Sequence, residues 1–232
     1  MSTLNGRPSF LLVHGAWHRS TCWAPLQDEL AATGWRSEAI DLPSAGEQRE
    51  PSAGLYDDAE EIAARLRHME GPVVVVAHSY GGLPVTEVVG DHPNVARLVY
   101  LAAYMPTEGE SASSIHGIPV PEDVSGVAPL FADPRAMFYG DLSDADAERA
   151  IGQLVPQSLR SLTQKTTRSA WRTVPSTYVV CEQDQVFPVT LQEKYAAQAT
   201  NAQRLPTSHS PFLSAPGRLA ALLARVAAES QP

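Results

Sequence analysis

Residues 72–82 read Pro-Val-Val-Val-Val-Ala-His-Ser-Tyr-Gly-Gly, and no other stretch leaves the chain fewer options. Four consecutive valines have no polar side to offer solvent, so they predict a strand covered on both faces. The run stops at Ser79, and a helix-compatible segment over residues 83–90 follows at once. A serine on a tight turn between a buried strand and a helix is the layout that lifts a hydroxyl clear of a sheet as a nucleophile. So sharp a turn needs small residues two before and two after the serine. Here they are Ala77 and Gly81, giving A-x-S-x-G, one step from G-x-S-x-G. A glycine-rich turn with an incidental serine would read the same way. The nucleophile reading therefore needs a base, an acid and an oxyanion hole from elsewhere in the chain.

The flanking sequence repeats the strand-then-helix pattern. Residues 9–13 are apolar and end at His14-Gly15-Ala16-Trp17-His18. Over 22–33, Trp23, Leu26, Leu30 and Ala31 share one helical face, and Gly34 is the stop. Residues 35–40 alternate as a strand, and 44–54 are polar with Gly and Pro, a loop. Residues 55–69 carry Leu55, Ala59, Ile62, Ala63 and Leu66 at helical spacing until Gly71-Pro72 breaks the helix. Residues 95–102 form the fourth strand. Linkers this long exclude hairpins, so the crossovers are right-handed and the strands parallel.

No strand-like run of comparable strength occurs over 104–171. There the spacing predicts a helix over 141–155, with Ser143 and Asp146 as a cap pair, and a short one over 157–163. The pattern resumes with a strand at 177–181, a helix over 188–199, a short strand at 202–205 and an amphipathic helix over 218–228. The expected fold is α/β, a mostly parallel six-stranded sheet flanked by helices. Its core is residues 1–103 and 172–232, with 104–171 as a small helical cap insertion.

A chain of 232 residues can bury one substantial core. Its net charge of −9 is spread out, with no basic footprint for nucleic acid. No run is long enough to span a bilayer. Residues 1–8 are polar and lack the apolar core of a signal peptide, so a cytoplasmic location is expected. The two cysteines, Cys22 and Cys181, are far apart and in no metal-ligand spacing. They read as free thiols in a reducing compartment, with neither disulfide nor metal.

In an open parallel sheet, functional groups gather beyond the carboxyl ends of the strands. That rule leaves a short list. Ser79 follows the valine strand, His14 to Trp17 the first strand and Asp41 the second. Glu182 and Asp184 follow the strand at 177–181, and His209 follows the last. Nucleophile, acid, histidine is the chain order of an α/β-hydrolase. Ser79 needs a neighbouring base, and a neutral His209 imidazole serves near pH 7. Asp184 is preferred over Glu182 as the acid because it stands farther past the strand end. The oxyanion hole needs two backbone N–H groups, assigned to Tyr80, next after the nucleophile, and Ala16, in the loop after the first strand. The other histidines, including His18 and His78, receive no chemical role.

These motifs resemble a known group. His14-Gly15-Ala16-Trp17-His18 followed by Trp23, together with Ala77 to Gly82, 178–184 and the His209 loop, is similar to the plant methylesterase and hydroxynitrile lyase group of α/β-hydrolases and their bacterial relatives. The resemblance spans nearly the whole chain and is weak over 104–171. It implies a sheet that begins at its first core strand, a cap over the active site, Ser79, Asp184 and His209 as the triad, and Ala16 and Tyr80 as oxyanion donors. Ala77 replaces the group's usual Gly. The lyase branch has a Thr after the His of the first-strand loop and a Lys after the catalytic His. Gly15 and Ser210 stand there instead, so the charge that cyanide handling needs is absent.

The expected activity is a cofactor-free serine hydrolase acting on a small-molecule carboxylic ester, thioester or lactone through an acyl-enzyme on Ser79. Its pocket is expected from Trp17, Leu83, Tyr104, Leu130, Phe131, Met137, Phe138 and Trp171, with Tyr80 beside them. The chain is expected to act as a monomer or homodimer without membrane or nucleic acid. A lyase, cyclase or decarboxylase on the same scaffold, or a ligand receptor without turnover, are the rival readings. A covalent adduct on Ser79 separates hydrolysis from the first, and turnover on esters separates it from the second.

Overall fold

The computed structural model describes residues 6–46 and 53–229. Part of the loop expected over 44–54 lies outside the described residues. Six strands form one sheet: β1 (Ser9–Val13), β2 (Ser37–Ile40), β3 (Val73–His78), β4 (Val95–Leu101), β5 (Ser176–Cys181) and β6 (Asn201–Leu205), in the order β2-β1-β3-β4-β5-β6. Every pairing is parallel. From β1, second from one edge, the chain winds out to β2, then returns past β1 to lay down β3 to β6. The order reverses between β1 and β3, the position where open α/β sheets gather their functional groups beyond the strand ends.

The valine run shows why a central strand needs no polar residue. Val73, Val75 and Ala77 enter the core on one face, with Leu55, Ile62 and Leu66 of helix α2 and Leu83 and Val85 of helix α3. Val74 and Val76 enter the other, with Leu26 and Leu30 of helix α1 and residues of the C-terminal helix. The helices are α1 (Ala24–Ala32), α2 (Leu55–His68) and α3 (Gly82–Val88). Each buried valine contributes roughly 1.5–3 kcal/mol relative to exposure. β6, at the sheet edge, exposes four of its five residues and reads only weakly in the sequence for that reason.

Between β4 and β5 lie four short helices, α4 (Ala112–Ile115), α5 (Pro134–Phe138), α6 (Asp144–Ile151) and α7 (Leu159–Thr163). The helix expected over 141–155 is shorter at both ends. Ser143 is extended, and its hydroxyl accepts the Asp146 N–H, so α6 begins after it. Val155 has left the helix to donate its N–H to the Trp17 carbonyl. α4 and α5 were not expected, since a single turn shows no periodicity. After β5 come α8 (Val189–Ala196), α9 (Pro211–Ser214) and α10 (Pro216–Ala228). α9 is a helical turn that follows the His209 loop and was not expected.

Two glycines after Ser79 carry the packing of the turn. A Cβ on Gly82 would lie 2.0 Å from the Tyr104 carbonyl oxygen, and one on Gly81 2.7 Å from that of His14. Both obstacles are backbone and cannot swing away. Gly126 has open space at its Cβ position. Gly82→Ala is expected to destabilise the protein by about 3 kcal/mol or more, and Gly126→Ala by no more than about 0.5 kcal/mol. Urea unfolding of the two variants checks this, and equal midpoints would refute it.

Candidate active site

Three non-glycine residues among those described have positive φ: Trp17 (60°), Ser79 (50°) and Ala102 (42°). A side chain in this region costs roughly 1–3 kcal/mol, and such strain collects at functional sites. All three stand just past the carboxyl ends of adjacent strands, β1, β3 and β4. Ser79 opens a 3-10 turn, Ser79–Gly81, that runs into α3. Its carbonyl accepts the Tyr104 N–H at 3.1 Å, tying the turn to the chain that leaves β4. Ala77 is buried within β3, where a methyl fits. The strict demand for glycine falls on Gly81 and Gly82 instead.

Asp184 and His209 meet as the sequence order suggests. The Asp184 Oδ2 accepts the His209 Nδ1–H at 2.7 Å, and both side chains are buried. The carboxylate is held from every side. Oδ1 accepts the N–H groups of Val186 and Phe187 at 2.8 and 2.9 Å, and Oδ2 also accepts from Gln192 Nε2 at 3.2 Å. Gln192, on α8 and buried, also spans the Cys181 backbone and the Phe187 carbonyl. No motif marks it in the sequence. Glu182, the competing acid, is exposed.

With Nδ1–H committed to Asp184, a neutral His209 carries its lone pair on Nε2. That nitrogen is buried and has no hydrogen-bond partner among the described residues. The His78 Nε2–H donates to the His209 carbonyl at 2.9 Å, and the two rings lie 4.5 Å apart. His78, directly before Ser79, thus straps the His209 loop to the turn at the end of β3. Burial keeps its pKa well below the usual histidine value, so it remains the neutral donor.

The turn after β1 is fixed by two more buried, neutral histidines. Burial lowers the pKa of His14 to about 4 and of His18 to about 3. A carbonyl can only accept, so the His14 Nδ1–H donates to the Gly15 carbonyl at 2.8 Å, while His14 Nε2 accepts the Leu42 N–H. The His18 Nδ1–H donates likewise to the Ala16 carbonyl at 2.8 Å, and His18 Nε2 accepts from the Tyr139 hydroxyl. In a trans peptide C=O and N–H point opposite ways. Holding the Gly15 carbonyl therefore sets the direction of the Ala16 N–H. The Trp17 N–H goes to Gln157 Oε1 and the His18 N–H to the Gly15 carbonyl. Among the described residues the Ala16 N–H has no such acceptor. A Cβ on Gly15 would meet the Ser79 Cβ at 2.9 Å, so this turn lies directly against the serine.

Of the expected pocket residues, Trp17, Phe131 and Phe138 form one aromatic cluster, with ring centroids 5.4–6.0 Å apart. Phe138 lies 5.9 Å from the His209 ring. Tyr104 packs on Phe187 and bonds His116 through its hydroxyl. Leu83 is fully buried in the core below, and Met137 is half-buried. Leu130 is a correction. It is 41% exposed and lies in an irregular stretch with no helix to turn it inward. Trp171 gives its indole N–H to the Pro106 carbonyl, in a 3-10 turn packed beside α3. Among the described residues, no group of three or more His, Cys, Asp or Glu side chains could hold a metal ion, and no helix is long and apolar enough to cross a membrane. Cys22 and Cys181 are free and buried.

One carboxylate in the site was overlooked by sequence reasoning. Asp58 is buried on α2, and its oxygens accept from Ser44 N, Ser44 Oγ and the Tyr80 hydroxyl at 2.8, 2.5 and 2.5 Å. Ser44 Oγ in turn accepts from Gln157 Nε2 at 2.7 Å. A polar network thus runs from the residue after Ser79 to the turn after β1. A signal existed, since Asp58 stands among the apolar positions of an otherwise amphipathic helix.

Comparison with known proteins shows the family. The model of the alpha/beta hydrolase family matches residues 10–222. An alpha/beta hydrolase, nvfD, of Aspergillus novofumigatus is 28% identical, over 97% of this chain and 98% of its own. Methylesterase 1 of Arabidopsis thaliana is 26% identical over 98% of both. The crystal structure of the methylesterase MES16 from Arabidopsis superimposes with a TM-score of 0.81 at 24% identity, covering 96% of this chain and 99% of that one.

Burial pushes the Asp58 pKa up to about 6, against the opposing hydrogen bonds from Ser44 and Tyr80. The folded protein therefore holds this proton more tightly than the unfolded chain, whose carboxyl titrates near 3.8. The resulting stability is present below about pH 4, falls as pH rises to about 6, and is flat above that. Relative to Asp58→Asn, the wild type is expected to lose roughly 2–3 kcal/mol between pH 4 and pH 7. Urea unfolding of both proteins at the two pH values measures it, and a difference that grows in favour of the wild type would contradict the assignment.

Proposed function

Because the chain belongs to the alpha/beta hydrolase family, we propose that it is a serine hydrolase that cleaves a carboxylic ester through an acyl-enzyme on Ser79. The observation that carries this reading is the 2.7 Å bond from His209 Nδ1–H to Asp184. It leaves His209 Nε2 without a partner among the described residues, as a base for Ser79 requires. Nε2 takes the Ser79 hydroxyl proton as Oγ attacks the acyl carbon. The carbonyl oxygen becomes an oxyanion and accepts the N–H groups of Ala16 and Tyr80. His209, now imidazolium and stabilised by Asp184, gives its proton to the leaving alkoxide, and an alcohol departs. Water then enters. His209 takes one of its protons, hydroxide adds to the acyl carbon, and collapse returns that proton to Ser79 and frees the acid. Ester and water become acid and alcohol with no other reactant.

Relatives named methylesterase support an ester with a small alcohol among the ester, thioester and lactone classes the site could take. The cluster of Trp17, Phe131 and Phe138 beside His209 supports a substrate with an apolar group. Residues 104–171 act as the cap in this reading, since they supply Phe131 and Phe138 to that wall. Ser79, only 8% exposed, lies beneath it.

Ser79→Ala is expected to lower kcat/KM on p-nitrophenyl esters by about 10⁴-fold or more, with the fold intact by circular dichroism. A fluorophosphonate should add a single mass increment to the wild type and none to the variant. Full activity in Ser79→Ala would end the proposal.

A further inference from the structure

The segment between β4 and β5 touches the proposed machinery at more than its apolar wall. Trp17 holds a left-handed conformation that costs a residue with a Cβ about 1–2 kcal/mol. It is gripped on both sides. Its N–H donates to Gln157 Oε1 at 3.2 Å, and its carbonyl accepts the Val155 N–H at 2.9 Å. The Gln157 amide cannot be reversed. Its Nε2 donates to Ser44 Oγ and Ser161 Oγ, each at 2.7 Å, and those hydroxyls spend their own protons on Asp58 and the Ser158 carbonyl. Oε1 is left facing Trp17. One residue further, the Tyr139 hydroxyl donates to His18, which holds the Ala16 carbonyl.

The same segment reaches the other loop. Asp141 accepts both the N–H and the hydroxyl of Ser208 at 2.8 Å, one oxygen for each. Ser208 immediately precedes His209. Asp141 is exposed and Ser208 is buried. The contact is two-pronged and falls on the peptide that leads into the base.

We propose that Gln157 and Asp141 are positioning residues. Gln157 holds the turn that aims the Ala16 N–H, and Asp141 holds the loop that aims His209. This rests on the serine-hydrolase reading above. The segment between β4 and β5 is then a working part of the catalytic apparatus, because the oxyanion turn and the base keep their aim only while it is seated. A roof that served only to exclude water or select substrate would have no need of polar contacts to the backbone beside both functional groups.

The test uses the full chain, p-nitrophenyl butyrate as substrate and butylboronic acid as a tetrahedral mimic whose oxygen sits where the oxyanion forms. Gln157→Met removes the acceptor while keeping length. Asp141→Ala removes both acceptors. Each is expected to lower kcat by about tenfold or more, with KM changed less than about twofold. In Gln157→Met the inhibition constant of the boronic acid should rise in step with the loss of kcat. Asp141→Ala should keep a cooperative urea transition above the assay condition, so its effect cannot be a loss of folded protein, and it stands as the deciding variant if Gln157→Met folds poorly. Ser79→Ala runs in parallel. If it stays active, the serine reading falls and this proposal with it. If it is inactive while Asp141→Ala keeps kcat within about twofold of wild type, or Gln157→Met folds and does the same, the positioning proposal is overturned and the serine reading stands.

Discussion

The left-handed backbone of Ser79 is the constraint on which the rest of the structure depends. A serine gains nothing locally from φ +50°, so the surroundings must impose it. β3 does so by being buried on both faces and ending without slack. The turn does so by bringing Gly81 and Gly82 against the backbone of His14 and Tyr104, closer than any Cβ allows. The Tyr104 N–H on the Ser79 carbonyl closes the arrangement. A strain of roughly 1–3 kcal/mol is small beside the burial of four valines. The sheet can therefore hold Ser79 in this conformation at modest cost.

The polar chemistry around that turn works on the same terms. Three buried histidines, His14, His18 and His78, are kept neutral by desolvation, and each donates an N–H to a backbone carbonyl of the site. A charged residue could make such bonds only after losing its hydration, which is expensive in a closed core. Neutral imidazole offers a donor, and in two of the three cases also a bonded acceptor, at far lower cost. Histidine is thus used structurally here, and His209 differs from these three in giving its Nδ1–H to a carboxylate.

Much of this was legible in the sequence, and the limits have physical causes. β1 reads residue for residue, and β3 reads over its four valines and runs on through Ala77 and His78, because apolar runs between breakers have one solution. Ser79, Asp184 and His209 were found by sorting polar residues to strand ends, and the structure brings the latter two into contact. The one-turn helices α4, α5 and α9 were missed because four or five residues show no period. Leu130 was assigned to the pocket from its apolar character alone, and an apolar side chain on an irregular stretch is not obliged to turn inward. Gln157 and Gln192 left no trace, since an amide at a helix or loop position is ordinary until its partners are known. Asp58 did leave one. A carboxylate on the stripe shared by Leu55, Ile62 and Leu66 must either break the helix face or find partners, and it found Ser44 and Tyr80.

The two halves of the fold answer to different pressures. The strands and the turns at their ends are over-determined, with glycines that admit no methyl and carbonyls held by named donors. The segment between β4 and β5 has four short helices and only a small apolar cluster of its own, centred on Phe138, Tyr139 and Ala147. Yet Val155, Gln157, Tyr139 and Asp141 reach from it to the loops that flank Ser79. Sequence change can therefore alter the aromatic wall of Trp17, Phe131 and Phe138 freely only where these four contacts survive. On the proposed function, that would limit how far a scaffold of this kind can change its substrate without losing the aim of its reacting groups.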